Sequence, residues 1–172
     1  PYAASKKASE NLAFTYHWLH DIDVSVLRFF TVYGPSGRPD MSIFRFVRWI
    51  VEKQPVVIYG DGYQSRSFTY VDDVVAGTIA ATARVGYEIL NLGSNEATSL
   101  IEVVNIIEDI TGCKAEIEFR RPLPADMRQT LADVKKANQL LGWRPTVEMK
   151  QGVEKVVDWY MANRDWASQL TL

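Results

Sequence analysis

The sequence predicts an α/β protein built on a mainly parallel sheet. Short runs rich in β-branched and aromatic residues alternate with segments of helical periodicity. Turns containing glycine or proline separate them. No internal repeat or linker divides the 172 residues into two complete domains. At 47% hydrophobic and 12% aromatic residues, the chain can bury a real core as one domain or a little more.

The elements follow in order. Over residues 3 to about 20, Ala8, Leu12, Tyr16 and Leu19 recur at helical spacing, opposite Lys7, Glu10 and Asn11. Pro1 suits the helix start, where its missing N–H costs nothing. Asp21 to Asp23 turns the chain into a run at 24–30 that reads as a buried strand. Residues 34–40 are loop by composition. A helix over 42–52 turns Ile43, Phe46, Val47 and Ile50 inward, and residues 55–59 form a short strand closed by Gly60-Asp61-Gly62.

Residues 67–71 read as extended. Asp72 and Asp73 then start a helix over 74–84, more plausible as caps favoured by its macrodipole than as a carboxylate pair for chemistry. Residues 88–92 resemble another buried strand, ended by Gly93-Ser94-Asn95. Ser99 and Glu102 form a capping box for a helix running to Thr111, with Gly112 as its stop. A strand over 115–120, a loop over 121–129 and helices over about 134–141 and 149–163 complete the chain.

Composition excludes several functions. A formal charge of −2, from 19 basic and 21 acidic residues, gives no global field for nucleic acid or an anionic membrane. A single cysteine, Cys113, rules out an internal disulfide and fits a reducing compartment. No apolar run approaches the roughly 18 residues of a membrane span, and no signal peptide is expected. A cytoplasmic protein is expected.

Tyr2 and Lys6 carry the chemistry. On a helix their spacing puts a phenol and an ammonium on one face. A cation beside a phenol stabilises phenolate, so the tyrosine can exchange a proton with a sugar hydroxyl near neutral pH. The alternative for this pair is an ordinary surface helix. The loop over 29–35 leaves the carboxyl end of a parallel strand, where open α/β sheets bind ligands, or is a plain strand exit. Arg38, between glycine and proline, suits a bidentate contact to carboxylate or phosphate, or else pairs with Asp40. Arg66, Arg120, Arg121 and Arg128 form a diphosphate clamp if the fold brings their segments together; a solvated charge run explains Arg120-Arg121 equally well, and Arg66, in a polar stretch just before a strand, is the better candidate. His17 and His20 lack a third soft ligand in sequence, so no metal is expected, and Cys113 reads as a packing residue.

Taken in order, these stretches resemble the C-terminal half of an extended short-chain dehydrogenase/reductase of the nucleotide-sugar epimerase/dehydratase group, and within it the UDP-glucuronate 4-epimerases. The matching segments are Tyr2-Ala3-Ala4-Ser5-Lys6-Lys7, residues 27–35, Gly37-Arg38-Pro39-Asp40-Met41, Tyr59-Gly60-Asp61-Gly62, residues 66–73 and Leu140-Leu141-Gly142-Trp143-Arg144-Pro145.

The resemblance implies a Rossmann-type sheet, to which residues 1–34 and about 67–95 belong, and a substrate-binding region over about 35–66 and 96–172. It implies NAD as cofactor and a UDP-sugar as substrate. Tyr2 is then the acid/base on the sugar 4-hydroxyl, and Lys6 holds the nicotinamide ribose. The backbone from Phe29 through Thr31 to Val32 faces nicotinamide and hexose. Val57 and Tyr59 lie along the uracil, Arg66 and Arg128 clamp the diphosphate, Asp126 binds the ribose and Arg38 meets the hexuronate carboxylate. The implied reaction is oxidation at C4, rotation of the 4-keto sugar and hydride return to its other face. The equivalent helix in this family builds a dimer interface, so a homodimer through residues 2–20 is expected.

Three departures bear on this. No glycine-rich Gly-x-x-Gly-x-x-Gly turn is present for the NAD pyrophosphate. The serine or threonine that assists the tyrosine is absent too, and Ser67 stands where an aspartate commonly follows the arginine. The expectation is a fragment of an epimerase, lacking its NAD-binding half and inactive alone. UDP-glucose 4-epimerisation, hexuronate decarboxylation or 4,6-dehydration, and non-catalytic binding of a nucleotide sugar are the competing readings.

Overall fold

In the computed structural model, which describes residues 1–124 and 126–171, the strand predicted over 24–30 changes partner partway along. β1 (Val24–Phe29) pairs in parallel with β6 (Tyr87–Leu92), Val24 opposite Tyr87 and Phe29 opposite Leu92. The Phe30 N–H still donates to Leu92 O at 3.3 Å, but the Thr31 N–H donates to Ser67 O at 3.2 Å. β2 (Thr31–Tyr33) then runs parallel to β5 (Phe68–Tyr70). β3 (Val56–Tyr59) pairs in parallel with β8 (Ile117–Arg120), and the short β4 (Ser65–Arg66) runs antiparallel to β7 (Thr98–Ser99). The mainly parallel α/β class is therefore observed.

The main core lies among α2 (Ser42–Val51), α4 (Leu100–Thr111), α6 (Met149–Ala162) and β3. Val47, Ile50, Val56, Ile58, Val103, Ile107, Val153 and Tyr160 are all buried there. Ile43, Phe46, Val47 and Ile50 point inward as their spacing predicts. The capping box holds: Ser99 N donates to Glu102 Oε2 at 2.7 Å, Glu102 N donates to Ser99 Oγ at 3.2 Å, and Gly112 ends the helix at φ 68°. A smaller core of Leu92, Ala137 and Trp143 joins α5 (Lys135–Leu141) to β6.

Several expectations are corrected. In α1 (Tyr2–His20) Leu12, Tyr16 and Leu19 are exposed, an uncovered apolar stripe of the kind expected of a helix that pairs with another copy, but Glu10, read as part of the polar face, is the residue of the helix that is buried. Charge explains this, because Arg28 of β1 reaches under the helix and neutralises the Glu10 carboxylate. β1 is half-buried rather than fully buried. α3 (Val71–Ala80) starts before Asp72 and Asp73, so neither aspartate caps it. Asp73 is instead buried, receiving hydrogen bonds from the distant Thr146 and Val147. A short α7 (Arg164–Ala167), not foreseen, closes the chain. Among the described residues, no helix is long and apolar enough to cross a membrane.

Candidate active site

Tyr2 and Lys6 occupy the first turns of α1, with Lys6 Nζ 5.5 Å from the centre of the Tyr2 ring. They border an open cleft of about 680 Å³ between α1 and β1, whose far wall ends at Phe29. The helical spacing does what the sequence implied, placing phenol and ammonium side by side. The ammonium is thus free to stabilise charge on the phenol oxygen or to donate to hydroxyls of a ligand in the cleft.

Beyond the partner change at Phe30, Val32 and Arg38 line a second cleft of about 440 Å³ beside the loop over 34–41. Thr31 lies on β2 between Phe30 and Val32, both of which line this cleft. Arg38 forms a fork with Asp40, Nε to Oδ1 at 3.1 Å and Nη2 to Oδ2 at 2.5 Å. This pairing holds the Asp40 carboxyl below its ordinary range. The partner that the sequence offered as the alternative is therefore in place.

A third cleft of about 660 Å³ opens at the ends of β3 and β8, bordered by Tyr59, Asp126 and Arg128. Its turn needs glycine: Gly60 and Gly62 have φ of 91° and 80°, and a Cβ on Gly62 would lie 2.6 Å from Ile101 Cγ1. Adjoining it is a cavity of about 470 Å³ shared by Val57, Tyr59, Asp126 and Asp40. Arg66 joins this region by donating from Nη2 to Asp126 Oδ1 at 2.5 Å, and Arg128 Nη1 donates to Asp61 Oδ2 at 2.9 Å. The Tyr63 N–H and then Arg128 hold the Asp61 carboxyl below its usual range.

The fold therefore brings Arg66 and Arg128 to one region, each holding an acidic side chain. Arg120 lines the same cleft as Arg128 while forking onto Glu118, and Arg121 is exposed, so of the pair at 120–121 only Arg120 borders the cleft. Ser67 is fully buried and donates its hydroxyl to Ser94 O at 2.5 Å. It braces the strand while leaving Arg66 outside that contact.

Sequence reasoning missed Arg45, which lies over the Trp49 ring at 4.5 Å and borders the cavity shared by Tyr59 and Asp126. Its signal was an arginine set among inward-facing apolar residues of an amphipathic helix. Among the described residues, no group of three or more His, Cys, Asp or Glu could hold a metal.

Residues 1–93 match the NAD dependent epimerase/dehydratase family. The UDP-glucuronate 4-epimerase of Thermodesulfobacterium geofontis (strain OPF15) is 49% identical over 164 residues, covering 95% of this chain and 51% of that protein. The UDP-glucuronic acid 4-epimerase from Bacillus cereus, solved with UDP-glucuronic acid and NAD, superposes with a TM-score of 0.89 at 38% identity, covering 95% of this chain and 53% of that one. The UDP-glucose 4-epimerase from Thermotoga maritima with UDP-glucose gives a TM-score of 0.92 at 28% identity, covering 95% and 54%. The chain thus spans about half the length of the relatives it matches. On its sequence and its fold, the chain belongs to the NAD dependent epimerase/dehydratase family.

Proposed function

We propose that this chain carries the acid/base pair and the sugar-nucleotide site of a NAD-dependent UDP-sugar 4-epimerase, with UDP-glucuronate as substrate. The observation that carries this reading is the Tyr2–Lys6 pair beside the open cleft between α1 and β1. In this reading residues 1–34 and about 67–95 belong to the Rossmann-type sheet. Residues from about 35–66 and 96–172 form the substrate region.

Tyr2 takes the proton of the sugar 4-hydroxyl and later returns it. Lys6 supports the phenolate and donates to the nicotinamide ribose. When bound, NAD supplies the acceptor of the C4 hydride and its later donor. The residues present fit the nicotinamide-ribose end of that cofactor: a cationic donor, a phenol and the apolar Phe29 share one cleft, and Val32 follows on the next strand. Thr31 faces the hexose, and Val57 and Tyr59 lie along the uracil. Arg66 and Arg128 take the diphosphate by exchanging their carboxylate partners for it, which frees Asp126 for the ribose. Arg38 takes the hexuronate carboxylate. The protein works in the cytoplasm, in carbohydrate metabolism, as a homodimer through α1.

One observation favours UDP-glucose instead: Arg38 already has a carboxylate partner in Asp40. Product analysis with the full-length protein, NAD-binding half included, separates the readings. Epimerisation of UDP-glucuronate keeps the mass, decarboxylation gives a pentose, and no turnover of the acid sugar favours UDP-glucose. Tyr2→Phe should lower turnover by about 10² or more through loss of acid–base help. Unchanged turnover would remove the proposal. The chain alone should bind UDP weakly and NAD not at all.

A further inference from the structure

Glu10 stands one helical turn after Lys6, at the i, i+4 spacing where lysine and glutamate pair on a helix. That contact is not made. Glu10 Oε1 receives Arg28 Nε at 2.6 Å, and Oε2 receives Arg28 Nη2 at 2.8 Å and Lys7 Nζ at 3.0 Å. Three charge-assisted donors, two from one planar fork, occupy both oxygens. The Glu10 main-chain oxygen accepts the Tyr87 hydroxyl at 2.8 Å, which holds the turn against β6. Lys6 enters no ion pair among the described residues and stays beside the Tyr2 ring.

We infer that Arg28 is a positioning residue for the Tyr2–Lys6 pair: together with Lys7 it takes up the Glu10 carboxylate and keeps it off Lys6. The inference rests on the reading of Tyr2 and Lys6 given above. The charged and titratable side chains of their cleft are Tyr2, Lys6, Lys7, Glu10 and Arg28, with Tyr87 bonded behind Glu10. Without Arg28, Glu10 keeps only Lys7, whose side chain is largely exposed, and its second oxygen is free to draw in Lys6. The ammonium then leaves the phenol, and a carboxylate arrives near it. Both changes disfavour phenolate.

The test follows Tyr2 by NMR of a ¹³Cζ label in the 172-residue chain, which needs no cofactor. Arg28→Ala should move the Tyr2 titration upward, as the ammonium leaves the phenol and a carboxylate approaches it. Adding Glu10→Gln to Arg28→Ala should move it back. A purely structural anchor joining α1 to β1 predicts no return, since the second change weakens the anchor further. Should Arg28→Ala lose the folded spectrum, Arg28→Gln keeps the stem and one donor and should shift the titration the same way. An unmoved titration, or one that Glu10→Gln fails to restore, overturns the inference. In the full-length protein, the acid limb of the kcat profile should move with the NMR shift in Arg28→Ala and return in the double variant. If Tyr2→Phe leaves turnover intact, the site reading fails whatever Arg28 does. If Tyr2→Phe abolishes turnover while the Arg28 variants move nothing, only the role of Arg28 fails.

Discussion

The carboxylate of Asp73 fastens Thr146 to the start of α3 across 73 residues of sequence. Thr146 N lies 3.1 Å from both carboxylate oxygens, Thr146 Oγ1 donates at 2.8 Å, and Val147 N donates at 3.0 Å. The Asp73 main-chain oxygen also accepts Trp143 Nε1 at 2.8 Å. One aspartate thus ties the Trp143–Val147 segment, and through it the entry to α6, to the strand–helix junction after β5.

Asp73→Ala should therefore cost more than a surface change. It strands part-buried N–H groups, and each such group carries a penalty of about 1–3 kcal/mol. We expect a loss of about 2–4 kcal/mol in urea unfolding, with Asp73→Asn losing less because its amide oxygen still accepts. A loss below 0.5 kcal/mol, the range of ordinary surface substitutions, would show that the segment is held by its apolar contacts alone.

Acid should loosen α1 through Glu10. Hydrogen bonds from Arg28, then from Lys7, hold its carboxyl at about 2 against an ordinary 4.5. The folded state therefore binds fewer protons than the unfolded one over this interval. The stabilisation from Glu10 is complete above about pH 4.5 and is lost as pH falls from there toward 2. Urea midpoints at pH 6, 4 and 3 should converge between the parent chain and Glu10→Gln as the pH drops. Parallel curves for the two proteins would contradict this.

The exposed face of α1 should drive self-association. Leu12, Tyr16 and Leu19 share one face and Trp18 flanks it, all more than half exposed, which leaves large apolar side chains of this helix uncovered. Sedimentation should show dimers whose population grows with concentration, and Trp18→Glu should shift them to monomer. A parent chain that stays monomeric at high concentration would leave this face without a role in assembly.

The legible parts of the sequence were those where one local rule dominates. The capping box at Ser99, the inward stripe of α2 and the Tyr2–Lys6 spacing each depend on residues within one or two turns. What escaped depends on distant partners. Glu10 is buried only because Arg28, 18 positions on, lies beneath it, and Asp73 is drawn from capping by Thr146 and Val147. The arginines were legible as a set, but which of them hold a carboxylate is decided by the loop over 121–129 meeting Asp61 and Arg66.

Substrate choice should turn on Arg38 and Asp40. The fork of Arg38 is filled by Asp40, and both side chains are solvent-exposed, so the pair is worth little and opens readily. A glucuronate carries a carboxylate at C6 that can replace Asp40 with the same two charge-assisted bonds, whereas the hydroxymethyl of glucose offers one weaker partner. Hydrogen bonds to charged groups are worth about 1.5–3 kcal/mol net, roughly 10–100-fold. In the full-length protein, Arg38→Ala should therefore cost at least about tenfold in kcat/KM on UDP-glucuronate and leave UDP-glucose nearly unchanged. Asp40→Asn removes the competing charge and should lower KM for UDP-glucuronate alone. Little effect on either sugar would assign Arg38 to the surface pair seen with Asp40. Equal losses on both sugars would move its role to the diphosphate that they share.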